Sequence, residues 1–435
     1  MYYSTIKADF NKPIGKMKPM HAVSNGPNMG FESTRMFSYM KEAGIPYTRL
    51  HDTGGTYSEL FVDIPRIFRD FSKDPSDPAN YDFAFTDWLL ERFTENDVKP
   101  FYRLGVSIEH GRYIKPMHID PPEDFDKWAK ICEGVIRHYN EGWANGYHYD
   151  IKYWEIWCEP DIRDNPKDSQ FWRGTKQQFF EFYETASKHL KKCFPDIKIG
   201  GFGAIGFYAK CDSEAPAHSA APVRAEYQLQ YIYDFLKYAR DNSCPLDFFT
   251  WHSYDTMDNT ARSAYYAREA LDEYGFTECE NILGEWNPGP MRRGTLADAA
   301  CCAKMMADCH NAPLDMMVYY QATIHGGHSG LFNPMTYKPF PTFYVFKTFN
   351  ELYKLGTAVE IEADIPAVAA TDGKIGRIMV SNINIDDCQM MIEVPSNWKF
   401  KKSYMLQDAC DLTEYDSLVR IPYNSMGMVE YEIVE

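Results

Sequence analysis

The sequence has no excess of positive charge. It contains 45 Lys and Arg residues against 62 Asp and Glu residues, which gives a formal net charge of −17 at pH 7. Proteins that bind nucleic acid neutralise phosphates with basic side chains, so this balance argues against a nucleic-acid partner. The acidic residues are spread along the chain and form no tail, which is typical of a solvated surface.

Long apolar runs are also missing, and so is a secretory signal. No apolar stretch is long enough to span a bilayer, so we predict no membrane partner. The N-terminal residues Met1 to Lys7 lack the basic-then-apolar layout of a signal peptide. The 11 cysteines are odd in number and show no CxxC spacing, which indicates reduced thiols. Together these absences favour a cytoplasmic protein.

Apolar and aromatic residues, in contrast, are abundant. Hydrophobic residues make up 45% of the 435 residues, enough for a large core in a barrel with a small accessory domain. Aromatic residues make up 16%, with 31 Tyr, 28 Phe and 9 Trp. Sugar-binding clefts stack aromatic faces against sugar rings, although the more frequent use of any single aromatic residue is packing.

Strand-like and helix-like segments alternate from about residue 20 to residue 355. Eight such units predict an α/β fold, a (β/α)8 barrel over residues 15–355. The predicted strands are Met20–Asn25, Tyr47–Asp52, Pro100–Val106, Tyr153–Trp157, Ile197–Ala204, Phe248–Tyr254, Asn281–Trp286 and Met316–Ala322. The predicted helices include Phe83–Thr94, Phe125–Tyr139, Lys176–Lys192, Tyr227–Arg240 and Ala297–His310.

The C-terminal segment has a different pattern. From residue 356 to residue 435 it shows short strands with turn residues and no helical periodicity. This pattern predicts an antiparallel β-sandwich accessory domain. Residues Tyr2 to Asp9 alternate like a strand, so we assign residues 1–14 to the same domain.

Two strand ends carry the chemistry. The segments Tyr153–Pro160 and Asn281–Pro288 each read as an apolar strand that ends near a glutamate and a tryptophan. Barrel enzymes place catalytic groups at the carboxyl ends of strands, and a retaining glycosidase needs two carboxyl groups about 5–5.5 Å apart. By strand position we predict Glu159 as the acid/base and Glu285 as the nucleophile. For a single glutamate, a capping or ion-paired surface role is the alternative.

Several segments resemble one family. Trp157-Cys158-Glu159-Pro160 resembles the W-N-E-P acid/base segment of retaining glycoside hydrolases of the (β/α)8 clan A, most of all glycoside hydrolase family 39, the β-xylosidase and α-L-iduronidase family. The resemblance spans nearly the whole chain and implies hydrolysis through a covalent glycosyl-enzyme intermediate. The other similar segments are Lys18–His21, Asn25–Pro27, Arg49–Asp52, Trp251–Tyr254, Gly284–Asn287, Gly330–Pro334 and Lys338–Pro339.

The chain departs from the clan at Cys158. The clan has Asn there, whose amide bonds the sugar 2-hydroxyl, and a thiol is a poor substitute. Either another residue contacts O2 or the substrate presents O2 differently. The departure bears on xylose specificity more than on hydrolysis, because both carboxyl groups are retained.

Further residues are assigned to substrate binding. The resemblance implies that His51 and Asp52 bind sugar hydroxyls in the −1 subsite and that Tyr254 donates to the nucleophile, with His252 as a positioning residue. Trp157, Cys158, Trp286 and Tyr320 complete the predicted binding residues. Arg103 and Gln321, the loop His325–Gly330, and the group His110, Arg112 and Tyr113 are additional candidates at the barrel mouth. Each of them has strand-end packing or a hydrogen bond to a loop as its alternative.

Two other functions remain open. Cys158 is compatible with a catalytically inactive carbohydrate-binding barrel. His21, His51, His110 and His252 near strand ends suggest a metal-dependent barrel hydrolase, but no metal-ligand spacing supports it. Cys301, Cys302 and Cys309 are interpreted as small buried residues of a helix. We therefore predict no metal or other cofactor. We predict a glycoside or oligosaccharide substrate that is attacked in an exo mode. The resemblance is compatible with a homo-oligomer.

Overall fold

We describe a computed structural model of the chain over residues 2–27, 31–54, 62–108, 118–211, 222–324, 326–384, 386–407 and 411–434. The strands are β1 (Tyr2–Lys16), β2 (Ala22–Ser24), β3 (Tyr47–Leu50), β4 (Lys99–Leu104), β5 (Tyr153–Ile156), β6 (Lys198–Gly200), β7 (Phe248–Ser253), β8 (Glu280–Trp286), β9 (Met316–Tyr319), β10 (Thr357–Ala363), β11 (Ala367–Thr371), β12 (Ile375–Asn382), β13 (Cys388–Glu393), β14 (Trp398–Met405), β15 (Thr413–Tyr415) and β16 (Ser425–Ile433). The α-helices in the described residues are α1 (Phe37–Glu42), α2 (Ile64–Ile67), α3 (Ala84–Glu95), α4 (Phe125–Glu141), α5 (Lys176–Cys193), α6 (Pro222–Asp241), α7 (Met257–Glu273), α8 (Leu296–Asn311) and α9 (Pro341–Tyr353).

The strands β2 to β9 form a closed barrel in sequential order. All of its pairs are parallel, and β2 pairs with both β3 and β9 to close the ring. The predicted (β/α)8 barrel is therefore confirmed, and each of the eight predicted strands overlaps an observed one. The observed strands are mostly shorter at their carboxyl ends, because the chain turns there into the loops of the barrel mouth.

Local signals explain why the helix limits were predictable. The Asp124 side chain accepts a hydrogen bond from Lys127 N at the start of α4, and Thr175 forms a capping box with Gln178 at the start of α5. Gly142 ends α4 in the left-handed conformation, with φ 75°. The helix α6 begins at Pro222, earlier than predicted, since proline is favoured in the first helical turn. None of the described helices is long and apolar enough to cross a membrane.

Side chains fill the barrel interior. Phe101, Tyr153, Phe248, Ile282 and Val318 form one buried cluster there. The outward-facing residues of the strands pack with the helices in a larger cluster that includes Cys302 and Cys309 of α8. Because the interior is packed, a substrate cleft can form only at an end of the barrel.

The remaining strands form the second domain. They make one eight-stranded sheet in the order β13-β1-β10-β11-β12-β16-β14-β15. The sheet curls over a core of its own, because Phe10 of β1 lies 4.8 Å, between ring centroids, from Trp398 of β14, although four strands separate β1 from β14 in the sheet. The predicted all-β accessory domain is thus present, with two differences: its strands form one curled sheet, and β1 pairs with β13 in parallel, so that sheet is mixed.

The outer face of this sheet packs on the barrel. Met379 of β12 and Met426 of β16 belong to the same buried cluster as the helix α8. The Ser381 hydroxyl donates to the carbonyl oxygen of Ala300 in α8 over 2.7 Å. β1 pairs with β10 in antiparallel fashion along most of its length. The division at residues 14/15 and 355/356 stays a prediction.

Shortening Met379 tests how much the contact between the sheet and the barrel stabilises the fold. We expect Met379→Ala to lower the free energy of unfolding by about 2–5 kcal/mol, because it leaves a cavity in a buried cluster. Met391→Ala is the control, since Met391 is 50% exposed on β13, and we expect a change within about 0.5 kcal/mol. Urea denaturation of both variants measures the difference, and equal effects would contradict the assigned packing.

Candidate active site

A β-bulge turns Glu285 into the barrel. On β7, Trp251 and His252 are consecutive, yet they pair with Leu283 and Glu285 of β8, so Gly284 is an extra residue. A bulge of this kind shifts the alternation of side chains and re-aims the next one. Glu285 therefore points inward at the carboxyl end of β8. Gly284 fits because a Cβ there would lie 3.3 Å from Thr250 Cβ.

A backbone reversal brings Glu159 to the same end. Trp157 and Glu159, which follow β5, adopt left-handed backbone angles with φ of 70° and 45°. The Glu159 N–H donates to the carbonyl oxygens of Phe202 and Gly203, each over 3.1 Å. These bonds to the segment after β6 fix the turn and direct the Glu159 carboxyl over the barrel mouth.

The two carboxyl groups face each other. One carboxylate oxygen of Glu159, one of Glu285 and a ring nitrogen of His252 all lie within 4.8 Å of one another. A retaining glycosidase separates its two carboxyl groups by about 5–5.5 Å, whereas an inverting enzyme needs about 6.5–9.5 Å to admit a water. The observed separation fits the retaining arrangement.

Glu285 is held by two donors. Arg49 Nη1 donates to Oε1 over 2.8 Å, and the Tyr254 hydroxyl donates to Oε2 over 2.8 Å. Burial raises the pKa of Glu285 to about 7, against the opposing effects of Arg49 and Tyr254. The two donors orient the carboxylate and favour its ionised form.

Glu159 holds its proton more tightly. Burial is the main cause that raises its pKa well above the usual range, and the negative charges of Glu285, Asp161 and Asp52 add to it. Glu285 therefore ionises first, and Glu159 stays protonated beside it. The opposite proton states come from unequal surroundings, because Arg49 and Tyr254 bond only Glu285 of the two.

His252 contacts Glu159. Its Nδ1 lies 2.7 Å from Glu159 Oε1 and 3.7 Å from Glu285 Oε2. Burial lowers the pKa of His252 well below its usual value, so the ring is neutral. A neutral ring can accept the Glu159 proton in a hydrogen bond at Nδ1. We expected a positioning role for His252, and its shorter contact is with Glu159.

His51 and Asp52 lie beside Glu285. His51 Nδ1 accepts from Arg103 Nε over 3.2 Å, which leaves Nε2 as the donor, 3.5 Å from Asp52 Oδ1 and 3.9 Å from Glu285 Oε1. Arg103 itself is buried, with Nη2 2.7 Å from Asp63 Oδ1. It therefore lies behind His51. The prediction that Arg103 faces the barrel mouth was wrong.

The segment after β9 contributes Tyr320 and His328. The Tyr320 hydroxyl lies 3.4 Å from Asp52 Oδ2, and the His328 ring stacks on Tyr254 with centroids 5.2 Å apart. Gln321 faces β2 instead, since its Oε1 accepts from Asn25 Nδ2 over 2.9 Å. Arg293 holds the segment in place through the carbonyl oxygens of residues 324, 326 and 328.

The two tryptophans do not line the cleft, which corrects the prediction for both. Trp157 packs among Trp128, Trp172 and Phe182 in the helical layer, and its Nε1 donates to Phe171 O over 2.9 Å. Trp286 packs edge-on against Tyr319. Both side chains point outward: Trp286 directly follows the inward-pointing Glu285, and the left-handed backbone at Trp157 turns its side chain away from the mouth.

Cys158 does face the pair. Its Sγ lies 3.4 Å from Arg49 Nη2, and it can be grouped with His51 and Glu285 within 4.8 Å. Burial raises the pKa of the thiol well above its usual value, so it stays protonated. The position that holds an amide in the clan therefore holds a weak, neutral donor here.

Two site residues were missed by the sequence reasoning. Arg49 contacts Glu285, Cys158 and Glu155, and the Glu155 carboxylate lies 2.7 Å from Arg49 Nε. Both are fully buried charges on strands of the barrel. An ion on a buried strand demands a partner, and that signal could have identified them.

Metal binding at the mouth faces competition from Arg49. Two of the described groupings that could hold an ion include Glu285, whose Oε1 already accepts from the guanidinium. The third, Glu133, His189 and Cys193, lies on α4 and α5. His21 contacts Gly44 O, 3.2 Å away, at the amino end of β2. His110, Arg112, Tyr113 and His325 lie outside the described residues.

Two relatives with sequence similarity to this chain are named beta-xylosidases. A beta-xylosidase from Caldicellulosiruptor saccharolyticus is 24% identical over 390 residues, 79% of this chain and 70% of the relative. A beta-xylosidase from Geobacillus stearothermophilus is 22% identical over 241 residues, 53% of this chain and 41% of the relative. The chain thus spans about two fifths of the second relative in that match.

Solved structures show the same fold. A glucosidase from Croceicoccus marinus superposes with a TM-score of 0.78 at 20% identity and covers 100% of both chains. A monomeric beta-xylosidase from Caulobacter crescentus gives 0.69 at 14% identity, over 99% of this chain and 100% of the other. The sequence pattern that defines the family "Glycosyl hydrolases family 39" matches residues 5–320. The chain belongs to glycosyl hydrolases family 39.

Proposed function

We propose that this chain is a retaining glycoside hydrolase that removes a terminal glycosyl residue by double displacement. One observation carries the proposal: two buried carboxyl groups whose oxygens approach within 4.8 Å and whose surroundings give them opposite proton states. A pair in this arrangement supplies the acid and the nucleophile that the reaction needs.

The first displacement uses both groups at once. Ionised Glu285 attacks the anomeric carbon and forms an ester, while Glu159 gives its proton to the leaving glycosidic oxygen. In the second displacement Glu159 takes a proton from water, which attacks the same carbon and releases Glu285. Arg49 and Tyr254 hold Glu285 in line for the attack. They stabilise its negative charge again when it leaves as a carboxylate.

The pair can switch the role of Glu159. The charge of Glu285 is one of the causes that raise the pKa of Glu159. Ester formation removes that charge, so the Glu159 pKa falls once the glycosyl-enzyme has formed. The residue that served as an acid in the first step can then serve as a base in the second.

The sugar is proposed from the relatives and from Cys158. Curated relatives are named beta-xylosidases, and one structural neighbour is named a glucosidase, so we propose a β-xyloside-like substrate or a related pentoside or hexoside. Cys158 offers O2 a weaker partner than an amide does, which favours a substrate bound less firmly at that hydroxyl.

The setting of the reaction is part of the proposal. The ten described cysteines are free thiols, which supports a reducing compartment such as the cytoplasm. We propose exo attack on short glycosides there. A homo-oligomer stays a prediction.

A panel of aryl glycosides tests the reaction class. The panel holds β-D-xyloside, β-D-glucoside, β-D-galactoside, α-L-arabinofuranoside, α-L-arabinopyranoside and β-D-glucuronide. We expect release of the aryl group from at least one, and loss of that turnover to background in Glu285→Gln, because an amide cannot attack. Glu280→Gln is the matched control: it begins the same strand at the far end of the barrel, paired with Lys198, and should keep activity.

Three results would contradict this proposal. Turnover retained in Glu285→Gln would contradict the assignment of Glu285 as the nucleophile. Sugar binding without any turnover, measured by calorimetry, would favour the carbohydrate-binding alternative. A tight stoichiometric divalent ion in the purified protein would favour the metal-dependent alternative.

Removing the acid should separate substrates by leaving group. We expect Glu159→Ala to slow phenyl glycosides about 10²–10⁴-fold, because the leaving oxygen then departs without a proton. Dinitrophenyl glycosides need no proton and should still form the glycosyl-enzyme. Added azide should restore turnover of the dinitrophenyl glycosides and yield a glycosyl azide, because azide attacks the glycosyl-enzyme without a general base. Equal losses across leaving groups would contradict the acid role.

The pH dependence follows from the two pKa values. Glu285 must be ionised, and burial raises its pKa to about 7, so activity should rise through about pH 7. Glu159 must be protonated, and its higher pKa places the alkaline loss of activity above that point. The pH profile of kcat/KM measures both. A maximum below pH 6 would contradict the assigned surroundings.

A further inference from the structure

A third carboxylate lies beneath the catalytic pair. Glu155 points into the barrel from β5 and is fully buried. Its Oε2 lies 2.7 Å from Arg49 Nε, and its Oε1 accepts from the Thr250 hydroxyl over 2.5 Å. The mechanism proposed above gives Glu155 no contact with the substrate, so its presence needs a separate explanation.

Glu155 is the middle of a hydrogen-bond chain that joins both glutamates. In one direction it holds Arg49, which donates to Glu285 over 2.8 Å. In the other it accepts from Thr250, whose hydroxyl accepts from the N–H of Gly203 over 2.8 Å. The carbonyl oxygen of Gly203 in turn accepts from the N–H of Glu159. One buried side chain is therefore tied to the nucleophile and to the acid.

Among the groups around Glu159 and Glu285, Arg49 most strongly favours their ionised forms. The titratable and charged groups that face the pair include Arg49 from β3, His51 and Asp52 just after β3, Cys158, Asp161 and Arg163 after β5, Tyr208 after β6, His252 from β7, Tyr254 just after β7, and Tyr320 after β9. Burial keeps both histidines neutral and Cys158 protonated. Among these described groups, Arg49 is the one cation hydrogen-bonded to a catalytic carboxyl.

Arg49 shares its charge between two carboxylates. Its Nε faces Glu155 and its Nη1 faces Glu285, both at hydrogen-bond distance and out of solvent. We propose that Glu155 is a positioning residue that holds the Arg49 guanidinium against Glu285. Its negative charge partly neutralises that of Arg49, and this raises the proton affinity of both catalytic glutamates. Without the negative charge of Glu155, Arg49 would favour the ionised form of Glu285 more strongly.

The roles of acid and nucleophile in this inference rest on the proposed function, but the charge sharing does not. Its test therefore begins with a measurement that needs no turnover. Protein labelled with ¹³C at the glutamate carboxyl carbons is titrated by NMR. Glu285→Gln and Glu159→Gln identify the two resonances by their loss.

Replacing the charge of Glu155 should move both titrations downward. In Glu155→Gln, one oxygen still accepts from Arg49 and the shape is kept, but the negative charge is gone. We expect the midpoints of Glu285 and Glu159 to fall by roughly 1 pH unit. Glu155→Asp keeps the charge and should restore the midpoints, even where the shorter side chain slows the reaction.

A distant carboxylate provides the matched control. Glu430 is buried in the second domain and bonds Arg377 Nε over 2.8 Å, so it is also a carboxylate paired with an arginine. Glu430→Gln should leave both midpoints unchanged. If Glu155→Gln also leaves them unchanged, or raises them, Glu155 only fills space and the inference is overturned.

Thr250→Val keeps the test decisive if Glu155→Gln does not fold. The valine removes one donor from Glu155 and keeps its charge, so Glu155 draws on Arg49 more strongly. We expect an upward shift of about half a pH unit for Glu285. A downward shift, or none, would overturn the inference.

Kinetics then gives a second readout. In Glu155→Gln both limbs of the kcat/KM profile should move to lower pH by the same amount as the NMR midpoints. If the midpoints move while no glycoside is turned over by the unaltered protein, the charge sharing stands and the proposed function fails. If turnover is present and neither the limbs nor the midpoints move, the function stands and the role of Glu155 fails.

Discussion

The site depends on one buried guanidinium. Arg49 lies between the carboxylates of Glu155 and Glu285, with both contacts below 3 Å and no access to water. Burying two carboxylates without a partner would cost several kcal/mol each, and in practice both would take up protons. Arg49 makes it possible for both carboxylates to remain charged inside the barrel. The proton order of the catalytic pair follows from that.

Backbone irregularities do the rest of the positioning. The bulge at Gly284 and the left-handed turn at Trp157 and Glu159 occur at the carboxyl ends of β8 and β5. A regular strand would alternate side chains without interruption, and Glu285 would face the helices. Each irregularity changes the direction in which the following side chains point. As a result, a tryptophan packs in the core and a glutamate points into the cleft.

The same irregularities mark the limit of what the sequence reveals. The barrel was predictable because eight apolar strands alternate with amphipathic helices, and the two glutamates because each follows such a strand. The directions of Trp157 and Trp286 were not, since a left-handed turn sets the first and one extra residue in β8 reverses the second. Arg49 and Glu155 were missed because the sequence pattern marks each as an isolated charge, and only the closed barrel brings their strands together. The parallel pairing of β1 with β13 was missed because short strands do not reveal their partners.

The pairing of β1 also orders events during synthesis. β1 is made long before its partners β10 and β13, which begin at Thr357 and Cys388. The barrel likewise closes only when β9 reaches β2. The first strand therefore leaves the ribosome with both edges unpaired and stays so while more than three hundred residues are added. Unpaired strand edges invite association with other chains. The nascent protein thus exposes both edges of β1 until β10 and β13 have been made and paired with it.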